Sequence, residues 1–229
     1  MACLTSAAVG LFGGTFDPVH HAHLRLAVEM RETLGLRELR LIPCHVPALR
    51  GAPGASPAQR RTMLELGIAG EPGLLVDDRE LRRAGPSYTV ETLAELRREL
   101  GPTVPLVWLL GLDAFAGLPR WQRWTELTAF AHLAVLARPG AALPQDAPLQ
   151  SFIAAHRCEA AVALTRPSGG LWFQPASRLE ISATAIRTAI AAGRSVRYWL
   201  PDAVEAFIRR EGLYCPPAPS TRLETTCCN

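Results

Sequence analysis

The sequence predicts an α/β fold, a doubly wound and mainly parallel sheet with helices on both faces. Three observations lead there. Short apolar runs stop abruptly at glycine or proline, as residues 7–12 do before Gly13-Gly14 and residues 39–42 do before Pro43. These runs are almost wholly hydrophobic instead of alternating, the pattern of a strand covered on both faces. Between them lie stretches whose apolar residues recur three and four apart, the period of a helix that buries one side. Such alternation implies parallel strands joined by crossover helices.

In chain order, residues 7–12 form the first strand and residues 20–34 a helix, with Leu24, Ala27 and Val28 on one face and Arg25, Glu29 and Glu32 on the other. Residues 39–42 form the second strand. Residues 44–55, rich in Pro and Gly, read as a long loop. Ser56-Pro57 is a helix start, a capping hydroxyl followed by proline at the first helical position, and that helix runs to residue 69. Further strands fall at residues 74–76, 106–110, 133–137 and 171–174, and further helices at 88–100, 182–192 and 201–210. Residues 141–148 read as a Pro/Ala-rich loop. One domain is expected over residues 1–214, followed by a disordered Pro/Thr/Cys-rich tail at 215–229.

Composition bounds the function. Hydrophobic residues make up 48% and charged residues 20% of the 229, the balance of a globular protein. The net charge of +3 tolerates an anionic ligand without calling for nucleic acid. All 24 basic residues are Arg, so any mechanism that needs a lysine is excluded. The cysteines at 3, 44, 158, 215, 227 and 228 contain no C-x-x-C pair, which argues against a zinc site or a disulfide framework. Reduced thiols, no signal-like start and no apolar run near the roughly 18 residues of a membrane span predict a cytoplasmic protein. The oligomeric state is not fixed by the sequence; a homo-oligomer is compatible with it.

The strongest chemical signal is Gly13-Gly14-Thr15-Phe16-Asp17-Pro18-Val19-His20-His21-Ala22-His23. Two glycines at a strand's carboxyl end let the backbone approach a ligand and offer N–H groups to phosphate. The following helix points its positive end at the same place. His20 and His23 are one helical turn apart and share a face, where they can stabilise charge on phosphate oxygens. A zinc pair is disfavoured because no third ligand is apparent. The second signal is Ile181-Ser182-Ala183-Thr184-Ala185-Ile186-Arg187. A helix start with two hydroxyls and a guanidinium can clamp a triphosphate, although alone it reads as an ordinary cap with a solvated Arg.

The first string resembles the Gly-Gly-Thr-Phe-Asp-Pro-x-His-x-Gly-His signature of the nucleotidyltransferase superfamily, and within it the bacterial nicotinate-nucleotide adenylyltransferases. Ala22 stands where that family usually has Gly. The second string is similar to the superfamily's Ile-Ser-x-Thr-x-x-Arg element, with Ala183 where Ser is frequent. The resemblance implies a Rossmann-like fold with ligands at the carboxyl ends of the strands. It implies ATP contacts from Gly13, Gly14, Thr15, Phe16, His20, His23, Gly111, Asp113, Arg138, Ile181, Ser182, Thr184 and Arg187. Of these, His20, His23 and Arg187 carry the catalysis.

Gly85-Pro86-Ser87-Tyr88-Thr89 is similar to the family's Ser-Tyr-Thr helix start, and Leu118-Pro119-Arg120-Trp121-Gln122 to a loop whose Trp stacks on nicotinate. Contacts to nicotinate mononucleotide are then implied for Thr15, Arg50, Ser87, Tyr88, Thr89, Trp121 and Gln122. Simple packing is the competing account of Trp121 and Trp124. The implied reaction transfers AMP from ATP to nicotinate mononucleotide, with Mg²⁺ arriving on ATP and no protein metal ligand nameable. Nucleic acid and membrane are not expected partners. A pantetheine-phosphate adenylyltransferase or a cytidylyltransferase would share the first motif but not the Ser-Tyr-Thr and Pro-Arg-Trp elements. A class I aminoacyl-tRNA synthetase would need a lysine-bearing loop. A non-catalytic nucleotide-binding regulator would bind ATP without releasing pyrophosphate.

Overall fold

The computed structural model describes residues 7–47, 51–137, 142–177 and 179–216. Its strands are β1 (Val9–Gly14), β2 (Glu38–Pro43), β3 (Val46–Pro47), β4 (Leu74–Val76), β5 (Pro86–Ser87), β6 (Leu106–Gly111), β7 (His132–Ala137) and β8 (Leu171–Pro175). Its helices are α1 (His21–Thr33), α2 (Pro57–Ile68), α3 (Thr89–Leu100), α4 (Leu112–Ala116), α5 (Leu127–Phe130), α6 (Ala147–His156), α7 (Ala160–Ala163), α8 (Ala183–Ala191) and α9 (Asp202–Arg210). Two 3₁₀ turns, Leu118–Arg120 and Trp124–Glu126, lie between α4 and α5.

Six strands form one parallel sheet in the order β4-β2-β1-β6-β7-β8. The chain steps outward from β1 to β2 and β4, then returns to β6 on the other side of β1. That reversal opens a crevice at the carboxyl ends of β1 and β6, the place where open α/β sheets bind ligands. Neighbouring residues along a strand face opposite sides, and the packing follows suit. Val9 and Leu11 of β1, with Trp108 and Leu110 of β6, join Leu93, Phe115, Leu127 and Phe152 in one core. Phe12, Val107 and Leu109 join Met30, Met63, Ile186 and Val204 in the other. Helices α3 to α6 thus cover one face, and α1, α2, α8 and α9 cover the other.

The elements read from the sequence are present, with three corrections. β1 continues through both glycines, which pair with Ile42 and Pro43 of β2. The stretch at 44–55 is not wholly loop, because Val46 and Pro47 form a two-residue ladder with Pro86 and Ser87. Residues 147 and 148 belong to α6, whose start is capped by Asp146 accepting from the Leu149 amide at 3.3 Å. Proline at the second helical position had suggested loop, yet it suits a first turn that has amides to spare. The proposed tail lies outside the described residues from 217 onward. Among the described residues, no helix is long and apolar enough to cross a membrane.

Candidate active site

The chain leaves β1 into a turn whose shape is set by its own aromatic side chains. A Cβ on Gly13 would stand 2.5 Å from Trp108 Cζ2, and one on Gly14 would stand 2.9 Å from Phe16 Cζ. The sequence reading gave these glycines to a ligand; packing gives each a further reason to lack a side chain. Phe16 is buried and holds the left-handed region at φ 49°, which an L-residue adopts only when its surroundings compel it. Its ring packs edge-on to Phe12 and His23.

His20 closes the amino end of α1 in extended backbone, and His23 lies in the first turn. The two rings stack with centroids 3.7 Å apart and planes 23° apart. Burial pushes the His20 imidazole down to about 4, with the charge of His21 adding a smaller push. Burial, and then His20, hold His23 well below the ordinary histidine range. Both rings are therefore neutral near pH 7, and each carries one N–H. Their Nδ1 atoms are buried and have no hydrogen-bond partner among the described residues.

The second motif folds as the capped start of α8. Ser182 Oγ accepts the Ala185 amide at 3.1 Å, so that hydroxyl is already engaged in capping. Ile181 donates its amide to the Leu179 carbonyl at 2.8 Å. Arg187, one turn into the helix, donates from Nη1 to the Asp17 carbonyl at 2.7 Å and from Nη2 to Thr184 Oγ1 at 3.4 Å. Two strings 170 residues apart are thereby joined by one guanidinium.

Three residues of this frame escaped the sequence reading. The buried Asp17 carboxylate accepts from the amides of Gly54 at 2.7 Å and Ala55 at 3.0 Å, and from Tyr214 Oη at 2.7 Å. Arg60 is fully buried and donates to the Thr15 carbonyl at 2.8 Å and the His45 carbonyl at 3.2 Å. Its spacing from Met63 and Leu64 placed it on the buried face of α2 and was the signal available. Tyr214 had no such signal, since it stands at the edge of the Pro/Thr/Cys-rich tail. Cys44 Sγ lies 3.8 Å from Thr15 Oγ1, and burial pushes its thiol up, away from the thiolate.

The acceptor candidates occupy a neighbouring frame. Ser87 Oγ accepts the His45 amide at 2.9 Å, tying β5 to the end of β2. Thr92 Oγ1 donates to the buried Glu80 at 2.6 Å, which anchors α3 just beyond Tyr88 and Thr89. Gly111 caps α4, and Asp113 stands exposed in its first turn. The pairing of Phe12 with Leu109 brings that turn beside the glycine turn. Trp121 is partly buried and Gln122 exposed. Trp124 packs its ring 4.9 Å from Phe152, which places it on the core side of its loop. Tyr88, Trp121 and Trp124 rest on the core opposite the one that Phe12 and Phe16 join. Arg50 and Arg138 lie outside the described residues.

His132 donates Nε2 to Arg166 and accepts from Gly170, and His156 faces Gly169 and Thr128, so both are satisfied within the fold. A cavity of about 890 Å³ has Leu24, Val28 and Leu179 on its walls and is lined by neither His20 nor His23. Of the two motifs, His21 and Ile181 border it.

Fold and motifs define the class first. The family model described as cytidylyltransferase-like matches residues 11–189, the span of both strings. A probable nicotinate-nucleotide adenylyltransferase from Cellvibrio japonicus is 48% identical over 206 residues, covering 90% of this chain and 98% of that protein. One from Halorhodospira halophila is 49% identical over 214 residues, covering 91% and 96%. Among solved structures, Plasmodium falciparum nicotinic acid mononucleotide adenylyltransferase complexed with APC has a TM-score of 0.67 at 16% identity, covering 90% of this chain and 96% of that one. That likeness speaks for the fold. The chain belongs to the cytidylyltransferase-like nucleotidyltransferases and, among them, to the nicotinate-nucleotide adenylyltransferase family.

Proposed function

We infer that this protein transfers the adenylyl group of ATP to nicotinate mononucleotide, giving nicotinate adenine dinucleotide and pyrophosphate. One arrangement carries the reading: a stacked, neutral histidine pair at a helix start, joined through Asp17 and Arg187 to a second helix start. Two helix amino ends with a guanidinium between them suit a polyphosphate. Relatives of near-half identity along almost the whole chain support the choice of acceptor.

In the proposed reaction a 5′-phosphate oxygen of the mononucleotide attacks the α-phosphorus of ATP. A P–O bond forms there as the bond to the β-phosphate bridging oxygen breaks, and pyrophosphate departs. The attacking phosphate is already anionic near neutrality, so no general base is required. The protein's work is alignment and charge stabilisation. Because Nδ1 is enclosed without an acceptor in both rings, we assign each proton to Nε2, a neutral donor for the α-phosphate and the leaving bridge. Gly13, Gly14, Thr15 and Phe16 would frame the phosphates, with Thr184 and Arg187 at the β/γ end. Ser182 would act there through the helix it caps. Asp113, after Gly111, would hold ribose hydroxyls, and Arg138 would reach the triphosphate.

On the acceptor side, Ser87, Tyr88 and Thr89 would receive the carboxylate at the start of α3. Trp121 would stack on the pyridine ring beside Gln122, and Arg50 would meet the acceptor phosphate. Mg²⁺ accompanies ATP. Phosphate and water oxygens would be its main ligands. The test is pyrophosphate release by purified protein with ATP and Mg²⁺ against three acceptors, nicotinate mononucleotide, nicotinamide mononucleotide and phosphopantetheine, and a blank without acceptor. Turnover with nicotinate mononucleotide is expected; folded protein inert towards both pyridine mononucleotides would end the proposal.

A further inference from the structure

The last helix ends in a turn that throws one side chain back into the site. Gly212, at φ 62°, donates its amide to the Arg209 carbonyl, and Leu213 donates to Ile208, the paired bonds of a Schellman stop. Leu213 is buried, so the turn is pinned by packing as well. Tyr214 follows at φ 64°, a left-handed conformation that is costly for a bulky residue and tends to be retained where a specific contact repays it. The contact here is the 2.7 Å bond from its hydroxyl to Asp17 Oδ1. The ring stands so close to Gly54 that a Cβ there would come within 3.1 Å.

The Asp17 carboxylate takes three hydrogen bonds and faces one guanidinium. Oδ1 takes Tyr214 and the Ala55 amide, while Oδ2 takes the Gly54 amide and faces Arg187 Nη1 at 3.7 Å. The Asp17 carbonyl takes the same Nη1 at 2.7 Å. The placement of Asp17 thus bears directly on that of Arg187, and among the described residues Tyr214 is the one side chain that donates a hydroxyl to the Asp17 carboxylate. Burial and the adjacent carboxylate raise the Tyr214 phenol, which keeps it a donor.

We propose that Tyr214 is a positioning residue for the transfer: through Asp17 it fixes Arg187 against the first motif, making the turn after α9 a working part of the ATP side of the site. The proposal rests on the adenylyltransferase reading above. It is tested by a double-mutant cycle of Tyr214→Phe and Arg187→Ala, each assayed for pyrophosphate release over an ATP titration at saturating nicotinate mononucleotide. Phe keeps the ring and loses only the hydroxyl. Loss of one hydrogen bond predicts a drop of about 3- to 10-fold in kcat/KM for ATP, with the mononucleotide KM unchanged. In the Arg187→Ala background the same change should cost less than about 2-fold, because the residue it acts through is gone. An equal loss in both backgrounds, or none in the single variant, overturns the proposal. Should Tyr214→Phe not fold, Tyr214→Met, which also lacks a donor at that position, replaces it in the cycle under the same criteria. An inactive wild-type protein would instead sink the underlying reading, so the two failures are distinct.

Discussion

Replacing His20 by Gln should flatten the acid limb of the protein's stability curve. His20 is buried, and its imidazole falls from an ordinary 6.5 to about 4 on folding. Between those values the unfolded chain binds a proton that the native state does not, so stability rises with pH across the window. The contribution is fully present above pH 6.5, shrinks as pH falls towards 4, and is lost below that. At about 1.36 kcal/mol per pKa unit, the full effect is about 3 kcal/mol. Urea unfolding of both proteins from pH 4 to 8 measures it. The wild-type advantage at pH 7.5 over pH 4 should exceed that of His20→Gln by about 3 kcal/mol, whatever constant offset the substitution adds. His23 is depressed in the same direction, so the variant keeps part of its slope and His20→Gln with His23→Gln loses more. Parallel curves for wild type and His20→Gln would mean that His20 is not a buried neutral imidazole.

Three further outcomes are expected. His23→Ala should lower kcat by about 10²–10³-fold with ATP binding largely kept, as for loss of a preorganised donor; single-turnover rates with a separate ATP titration check it, and an unchanged kcat removes His23 from the mechanism. Trp121→Ala should raise KM for nicotinate mononucleotide several-fold at saturating ATP, whereas Trp124→Ala, which leaves a gap against Phe152, should lower Tm more than it raises KM; the reverse ranking would exchange their roles. Arg60→Met should destabilise the fold by roughly 2–6 kcal/mol in urea unfolding, because the Thr15 and His45 carbonyls each lose a buried donor worth about 1–3 kcal/mol; a cost under about 1 kcal/mol would show that those carbonyls find other partners.

The sheet was legible in the sequence because its strands are buried on both faces and stop at Gly or Pro, a local signal that survives without tertiary context. The motif histidines were legible for a similar reason, since one helical turn separates them. Asp17, Arg60 and Tyr214 were not, because what makes them matter is long-range. Asp17 finds Tyr214 across 197 positions, and Arg60 finds Thr15 across 45. The β3–β5 ladder was missed because a two-residue strand carries no periodicity. The helix α6 was missed altogether, and its start was read as loop because Pro and Asp signal both a loop and a helix's first turn. The glycines were read as making room for a ligand, whereas Trp108 and Phe16 supply a packing reason that no local pattern could carry.

The most direct test of the central claim is the fate of the α-phosphate. Purified protein is incubated with Mg²⁺, nicotinate mononucleotide and ATP labelled at the α-phosphorus, and in parallel with ATP labelled at the γ-phosphorus. The α-label is expected to move into a dinucleotide with the mass of nicotinate adenine dinucleotide, in step with γ-label appearing in pyrophosphate. Label from the γ-position in free orthophosphate, with the α-label retained in ADP, would contradict it and mark the protein as a phosphohydrolase.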